Sequence, residues 1–130
     1  MGKKSRDKGA RFEREVCRIW HEAGIRFKRN PQSAGGDRQG ADVEPVRPIY
    51  IDRLLSKGLV SLKAWFAQKL WHECKIRAKQ FPISLLYKAL DQARSDAKGS
   101  GKIPAVTFRV DGKPALIVMR LEEVLGLEDK

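Results

Sequence analysis

The chain has 130 residues, with 27 Lys and Arg against 16 Asp and Glu, and a formal net charge of +11. One domain of this length buries roughly two-thirds of the surface its unfolded chain exposes, and 42% hydrophobic residues supply the core, so extensive disorder is excluded. No apolar run reaches about 18 residues and no leader-like series opens the chain, which reads as a soluble, unprocessed, cytoplasmic protein. Cys17 and Cys74 lie far apart without Cys-x-x-Cys spacing, which argues against a disulfide framework or a thiolate zinc site. The positive excess concentrates polyanions, with nucleic acid as the leading partner and an anionic membrane surface second.

Residues 1–8, MGKKSRDK, hold four basic residues and no core candidate, and read as a mobile basic arm. Phe12, Val16, Ile19, Trp20 and Ala23 recur at helical spacing, which predicts a helix over Ala10–Ala23 stopped by Gly24. Ile25–Arg29 alternates as a short strand and ends at Asn30-Pro31. A polar, glycine-bearing loop, QSAGGDRQG, then leads to a second strand over Ala41–Glu44.

Pro45 and Pro48 precede a helical stripe of Ile51, Leu54, Leu55, Leu59, Leu62, Phe66 and Leu70, which Gly58 can split in two. Leu70–Ile76 reads as a strand. Phe81-Pro82 opens a helix in which Leu85, Leu86, Ala89, Ala93 and Ala97 recur before Gly99. Ile103–Val110 and Ala115–Leu121 read as strands joined by a hairpin at 111–114. The sum is one mixed α/β domain over 1–130, with a helical insertion at 45–69 between the second and third strands.

Trp71-His72-Glu73-Cys74-Lys75 carries the sharpest chemical signal. Strand alternation puts Glu73 and Lys75 on one face about 7 Å apart, with His72 and Cys74 on the other. Alone, such a pair is far more often a solvated ion pair on an edge strand than a site. Asp42, after the glycine-bearing loop, raises the reading: two carboxylates and an ammonium form the set that phosphodiester hydrolysis uses. The carboxylates suit Mg²⁺, or Mn²⁺ in its place, and the lysine orients water or offsets transition-state charge. Glu44 shares the face of Asp42 and competes as a ligand.

Glu13 and Glu15 border the apolar stripe of the first helix on opposite sides, and periodicity does not choose between them as a third carboxylate. His21 and His72 read as structural. The loop at 33–40 lacks the glycine-lysine spacing of a phosphate cradle, so no nucleotide cofactor is expected.

The run Lys8-Gly9-Ala10-Arg11-Phe12-Glu13-Arg14-Glu15, then Arg29, Gly40-Ala41-Asp42-Val43 and Glu73-Cys74-Lys75, resembles the archaeal-type Holliday-junction resolvases and their small phage relatives. These belong to the PD-(D/E)xK nuclease superfamily. The resemblance covers about residues 8–44 and 70–110 and implies a restriction-endonuclease-like mixed central sheet flanked by helices. It makes Glu13, Asp42 and Glu73 the metal-site carboxylates and Lys75 the catalytic lysine. Arg14 and Arg29 match basic residues that hold DNA phosphate, and Ser33 matches a loop serine. It further implies a homodimer that nicks opposed strands of a four-way DNA junction, located in the host cytoplasm if a phage encodes it.

Lys3, Lys4, Arg6, Lys8 and Arg11 at the chain start, and Arg77, Lys79 and Gln80 after the Glu-x-Lys strand, extend the expected DNA-facing surface. The insertion carries Arg47, Arg53, Lys57, Lys63 and Lys69 against Asp52 alone, and reads either as cover for the sheet or as an arm toward a partner subunit or the junction. Thirty residues separate Asp42 from Glu73, more than is usual in these resolvases. That length keeps open a nuclease for flaps or other branched or damaged DNA; a non-catalytic architectural protein on the same scaffold is a further alternative and would need the acids to be vestigial.

Overall fold

A computed structural model describes residues 3–30, 40–51, 57–58 and 61–126. Helix α1 spans Lys3–Glu22. Residues 3–8, expected as a mobile arm, are instead its first turns. Lys and Arg are good helix formers, and Lys8 Nζ is held by Asp111 Oδ2 at 2.6 Å, which compensates for the absence of acidic residues in the first turn. Phe12 and Val16 are buried, as the periodicity requires, whereas Ile19 lies at the edge of the stripe and is 42% exposed.

Strands β1 (Phe27–Arg29) and β2 (Val43–Pro45) are shorter than the alternation suggests. Trp20 stacks on Phe27 with ring centroids 4.6 Å apart, fixing α1 on the sheet. Helix α2 covers Leu62–Lys69 and is N-capped by Ser61, whose side chain accepts from the Ala64 amide at 3.2 Å. Its buried residue is Ala67, which joins Phe12, Val16, Phe27, Val43 and Cys74 in one core cluster, while Leu62 of the expected stripe is exposed. Leu54, Leu55 and Leu59, like Arg53 and Asp52, lie outside the described residues.

The chain passes from α2 directly into β3 (Leu70–Arg77), then α3 (Ile83–Ala97), β4 (Ile103–Val110) and β5 (Leu116–Val118). The sheet order is β1-β2-β3-β4-β5. Among the described strand pairs only β3 and β4 are parallel, and α3 is the crossover that a parallel pair needs. Ala89, Leu90 and Val106 form a second core cluster with Leu86, Phe108 and Val118, so α1 and α3 cover opposite faces of the sheet. This is the mixed, helix-flanked α/β sheet of the restriction-endonuclease-like class.

The last strand stops at Val118 rather than reaching Leu121, because Leu121–Leu125 forms a short helix, α4. Glu122 and Glu123 favour its N-terminus and Gly126, in the left-handed region at φ 71°, ends it. Glu123 is buried and is bonded by Arg94 at 3.2 Å and Arg120 at 3.4 Å. Among the described residues no helix is long and apolar enough to cross a membrane.

Candidate active site

Strands β2 and β3 pair at a single position, Val43 opposite His72. One step outward the next two positions are Asp42 and Glu73, each nearly inaccessible at 3% and 4% exposure. Where the ladder stops, the Asp42 side chain takes its place: the Cys74 amide donates to Asp42 Oδ2 at 2.7 Å. Asn30 holds the approach to Asp42 from the other side. Its amide donates to Asp42 O at 3.0 Å, and its Nδ2 to Ala41 O at 2.8 Å. Gly40 turns the chain here at φ 98°, and a Cβ at this position would come within 2.9 Å of both Asn30 Nδ2 and Glu44 Oε1.

Glu73 is fixed by Trp71, whose Nε1 donates to Glu73 Oε1 at 3.0 Å. The two residues share a strand face with Lys75, which is exposed. The register sets Glu73 beside Val106 and Lys75 beside Phe108, so this is the face covered by α3. His72 and Cys74 point the opposite way. His72 is fully buried, with Trp20 and Phe27 edge-on to its ring at 5.7 and 5.2 Å, and its Nε2 donates to Ala67 O at 3.0 Å. Burial lowers its pKa to about 4, and the charge of Lys102 acts in the same direction. His72 is therefore a neutral core residue tying α2 to β3.

Glu13 and Glu15 part company in space. Glu13, 9% exposed, accepts from Arg29 Nε at 3.1 Å, whereas Glu15 pairs with Arg109 at 3.0 Å. Arg109 also lies over the Phe12 ring, 5.4 Å from its centroid. Arg29 sits opposite Val43, whose side chain belongs to the α1 core, so the Glu13–Arg29 pair lies on the α1 face. Beside it the Cys17 thiol is pushed up to about 11, chiefly by burial, with Arg29 opposing and Glu13 reinforcing the rise, which makes it a poor nucleophile.

Among the described residues no group of three or more His, Cys, Asp and Glu side chains is arranged to hold a metal ion. Of the expected trio, Asp42 and Glu73 are brought to adjacent positions, and Glu13 accepts from Arg29 on the α1 face. Glu44, the rival ligand, pairs with Lys28 at 3.7 Å on the neighbouring strand. Two carboxylates still suit Mg²⁺, which characteristically takes one or two protein carboxylates together with water and substrate phosphate. The chemistry of Asp42 and Glu73 therefore fits such an ion.

Arg6, Arg11 and Arg14 are exposed on α1, and Arg77, Lys79 and Gln80 are exposed at and beyond the end of β3. Lys8 and Arg29, expected among the DNA contacts, form ion pairs with Asp111 and Glu13 and stay partly exposed. Ser33 and the side chains of Lys3 and Lys4 lie outside the described residues. Sequence reasoning missed Asn30 and Trp71 as the groups that position Asp42 and Glu73. Asn30 reads only as a turn residue, and the one available signal for Trp71 is its i, i+2 relation to Glu73.

A mixed sheet flanked by helices, with an aspartate entering β2 and Glu-x-Lys on β3, defines the PD-(D/E)xK nuclease class. Residues 4–130 match the family model described as phage putative PDDEXK endonuclease, and the chain belongs to that family. No curated protein and no solved structure matches it.

Proposed function

We propose that this family member is a divalent-metal-dependent DNA endonuclease that resolves four-way junctions as a homodimer, by paired symmetric nicks, in the cytoplasm of the host. The observation that carries the nuclease reading is the adjacency of buried Asp42 and Glu73 at the β2–β3 boundary, with exposed Lys75 on the face of Glu73. Asp42 and Glu73 would hold Mg²⁺, or Mn²⁺ in its place. Such an ion polarises a phosphate oxygen and lowers the pKa of bound water.

The protein's own residues do the rest. Trp71 keeps Glu73 in one rotamer, and the Cys74 amide and Asn30 keep Asp42 at the strand entrance. Lys75, free of the core, orients the attacking water or offsets charge on the phosphorane-like transition state. Arg6, Arg11, Arg14, Arg77 and Lys79 supply exposed positive charge for phosphates flanking the scissile bond. The four-way junction is favoured as substrate by the Lys8–Glu15 opening, which resembles that of the resolvases.

The test is cleavage of a mobile-core four-way junction, with duplex, flap and single-stranded controls, with and without Mg²⁺. Paired nicks confined to the junction are expected. Preferential cutting of flaps would reject the junction while keeping the nuclease, and tight binding without cutting in Mg²⁺ or Mn²⁺ would return the architectural reading.

A further inference from the structure

The β1–β2 hairpin carries basic side chains to the site from a direction the sequence does not reveal. Phe27 stacks on Trp20 of α1, so alternation turns its neighbours Arg26 and Lys28 to the other side of the sheet, where both are exposed. Lys28 is aligned with Glu44, and the Val46 amide donates to Arg26 O at 2.9 Å, which holds Arg26 in line with Lys28. Val43 packs in the α1 core opposite His72, so Glu44 shares the face of Glu73 and Lys75.

Along the register, Lys28, Glu44 and Trp71 make one row across β1, β2 and β3, and Asp42 and Glu73 stand in the next. Rows on one face are about 7 Å apart and neighbouring strands about 4.8 Å, so Lys28 lies one strand and one row from Asp42. Helix α3 covers β4 and β3 on this face. Over the hairpin, the Lys28 side chain is 50% exposed and Val46 41%. Lys28 meets Glu44 at 3.7 Å, a wide pair that holds its ammonium weakly and lets it exchange that carboxylate for a phosphate. Arg29, by contrast, is turned to the α1 side and engaged by Glu13.

We infer that Arg26 and Lys28 bind DNA phosphates on one side of the scissile bond and carry the backbone across the outer face of the hairpin. Lys75 and Arg77, two residues apart on one face of β3, lie on the other side of the carboxylates. Such contacts fix the position of the strand without reading its bases. This inference deepens the endonuclease reading and rests on it, but it holds equally for a junction arm, a flap or plain duplex.

The experiment titrates with salt the binding of a blunt duplex to the full chain in EDTA, and follows cleavage of a four-way junction and a flap in Mg²⁺ in parallel. Arg26→Gln and Lys28→Gln should each lower the slope of log affinity against log salt by about one, and weaken binding about fivefold at about 0.15 M salt. Thermal midpoints should not move, since both side chains are exposed. Arg26→Lys should restore the slope. Lys98→Gln, which removes one exposed charge from the turn after α3, should leave it unchanged. In Mg²⁺ the losses should fall on KM with kcat within about twofold, because these contacts hold substrate and transition state alike. Slopes unchanged in both variants, or lowered equally by Lys98→Gln, overturn the phosphate track and leave the two charges as guards of the β1 edge against strand pairing. Lowered slopes with no cleavage of either DNA overturn the endonuclease reading alone, whereas cleavage with unaltered slopes overturns the track alone.

Discussion

The Cys74 amide donates to Asp42 Oδ2 at 2.7 Å, so the carboxylate proposed to bind metal also closes the gap where β2 parts from β3. Two substitutions separate these roles. Asp42→Asn retains an acceptor oxygen and should leave urea stability within about 1 kcal/mol, whereas Asp42→Ala strands a buried N–H and should cost about 1–3 kcal/mol. Both should lower cleavage by roughly a hundredfold or more, the scale of losing one transition-state charge stabiliser. Equal stability losses would remove Asp42 from its structural role.

Arg14 and Arg29, alike in the sequence reading, should behave differently. Arg14 is exposed, and Arg14→Ala should reduce the salt dependence of DNA binding by about one unit of slope. Arg29 is bound to Glu13, and Arg29→Ala should cost about 1–3 kcal/mol of stability by leaving a nearly buried carboxylate without its partner. Salt titration of binding and urea denaturation of both variants check the contrast.

His72 should make the fold sensitive to acid. Its pKa falls from 6.5 in the unfolded chain to about 4 in the folded one, so the unfolded state binds the extra proton between those values. The contribution is complete above 6.5 and is lost as pH falls toward 4, amounting to about 3 kcal/mol at about 1.4 kcal/mol per pH unit. Protonation would charge Nδ1, which is buried without a hydrogen-bond partner among the described residues. His72→Phe should start less stable, because the Ala67 carbonyl loses its donor, yet lose less stability over that interval. An unchanged pH slope would assign the acid sensitivity elsewhere.

Lys75 projects from β3 into solvent, outside both core clusters. Lys75→Gln should therefore keep the thermal midpoint within a degree or so of the unaltered protein, surface changes costing about 0.5 kcal/mol or less. Cleavage should fall at least about a hundredfold, since the charge near the scissile phosphate is gone. Retained cleavage would show that Lys75 is only a solvated surface residue.

The strand carrying Glu73 and Lys75 is legible in the sequence because alternation is local: the seven residues Leu70–Ile76 suffice to put His72 and Cys74 on one face and Glu73 and Lys75 on the other, while only the fold shows which face meets α1. Phe12 and Val16 are legible for the same reason, through helical periodicity. The partner of Glu13 is not, since it lies 16 residues away and is chosen by strand register. Nor is the tie between α1 and the end of β4, where Lys8 meets Asp111 across 103 residues. The short helix at Leu121–Leu125 is masked because Leu and Val serve a strand as readily as a helix, and only the acidic first turn and Gly126 distinguish them.

Helix α1 leaves the ribosome before the other described elements, yet its ion pairs to Arg109 and Asp111 form only late. Its Glu15 must wait for Arg109, 94 residues downstream, and Lys8 for Asp111. At about 5–20 residues per second, the nascent chain carries an amphipathic helix without its final moorings for about 5–20 s, leaving its apolar side open to chaperones or to another nascent chain in the interval.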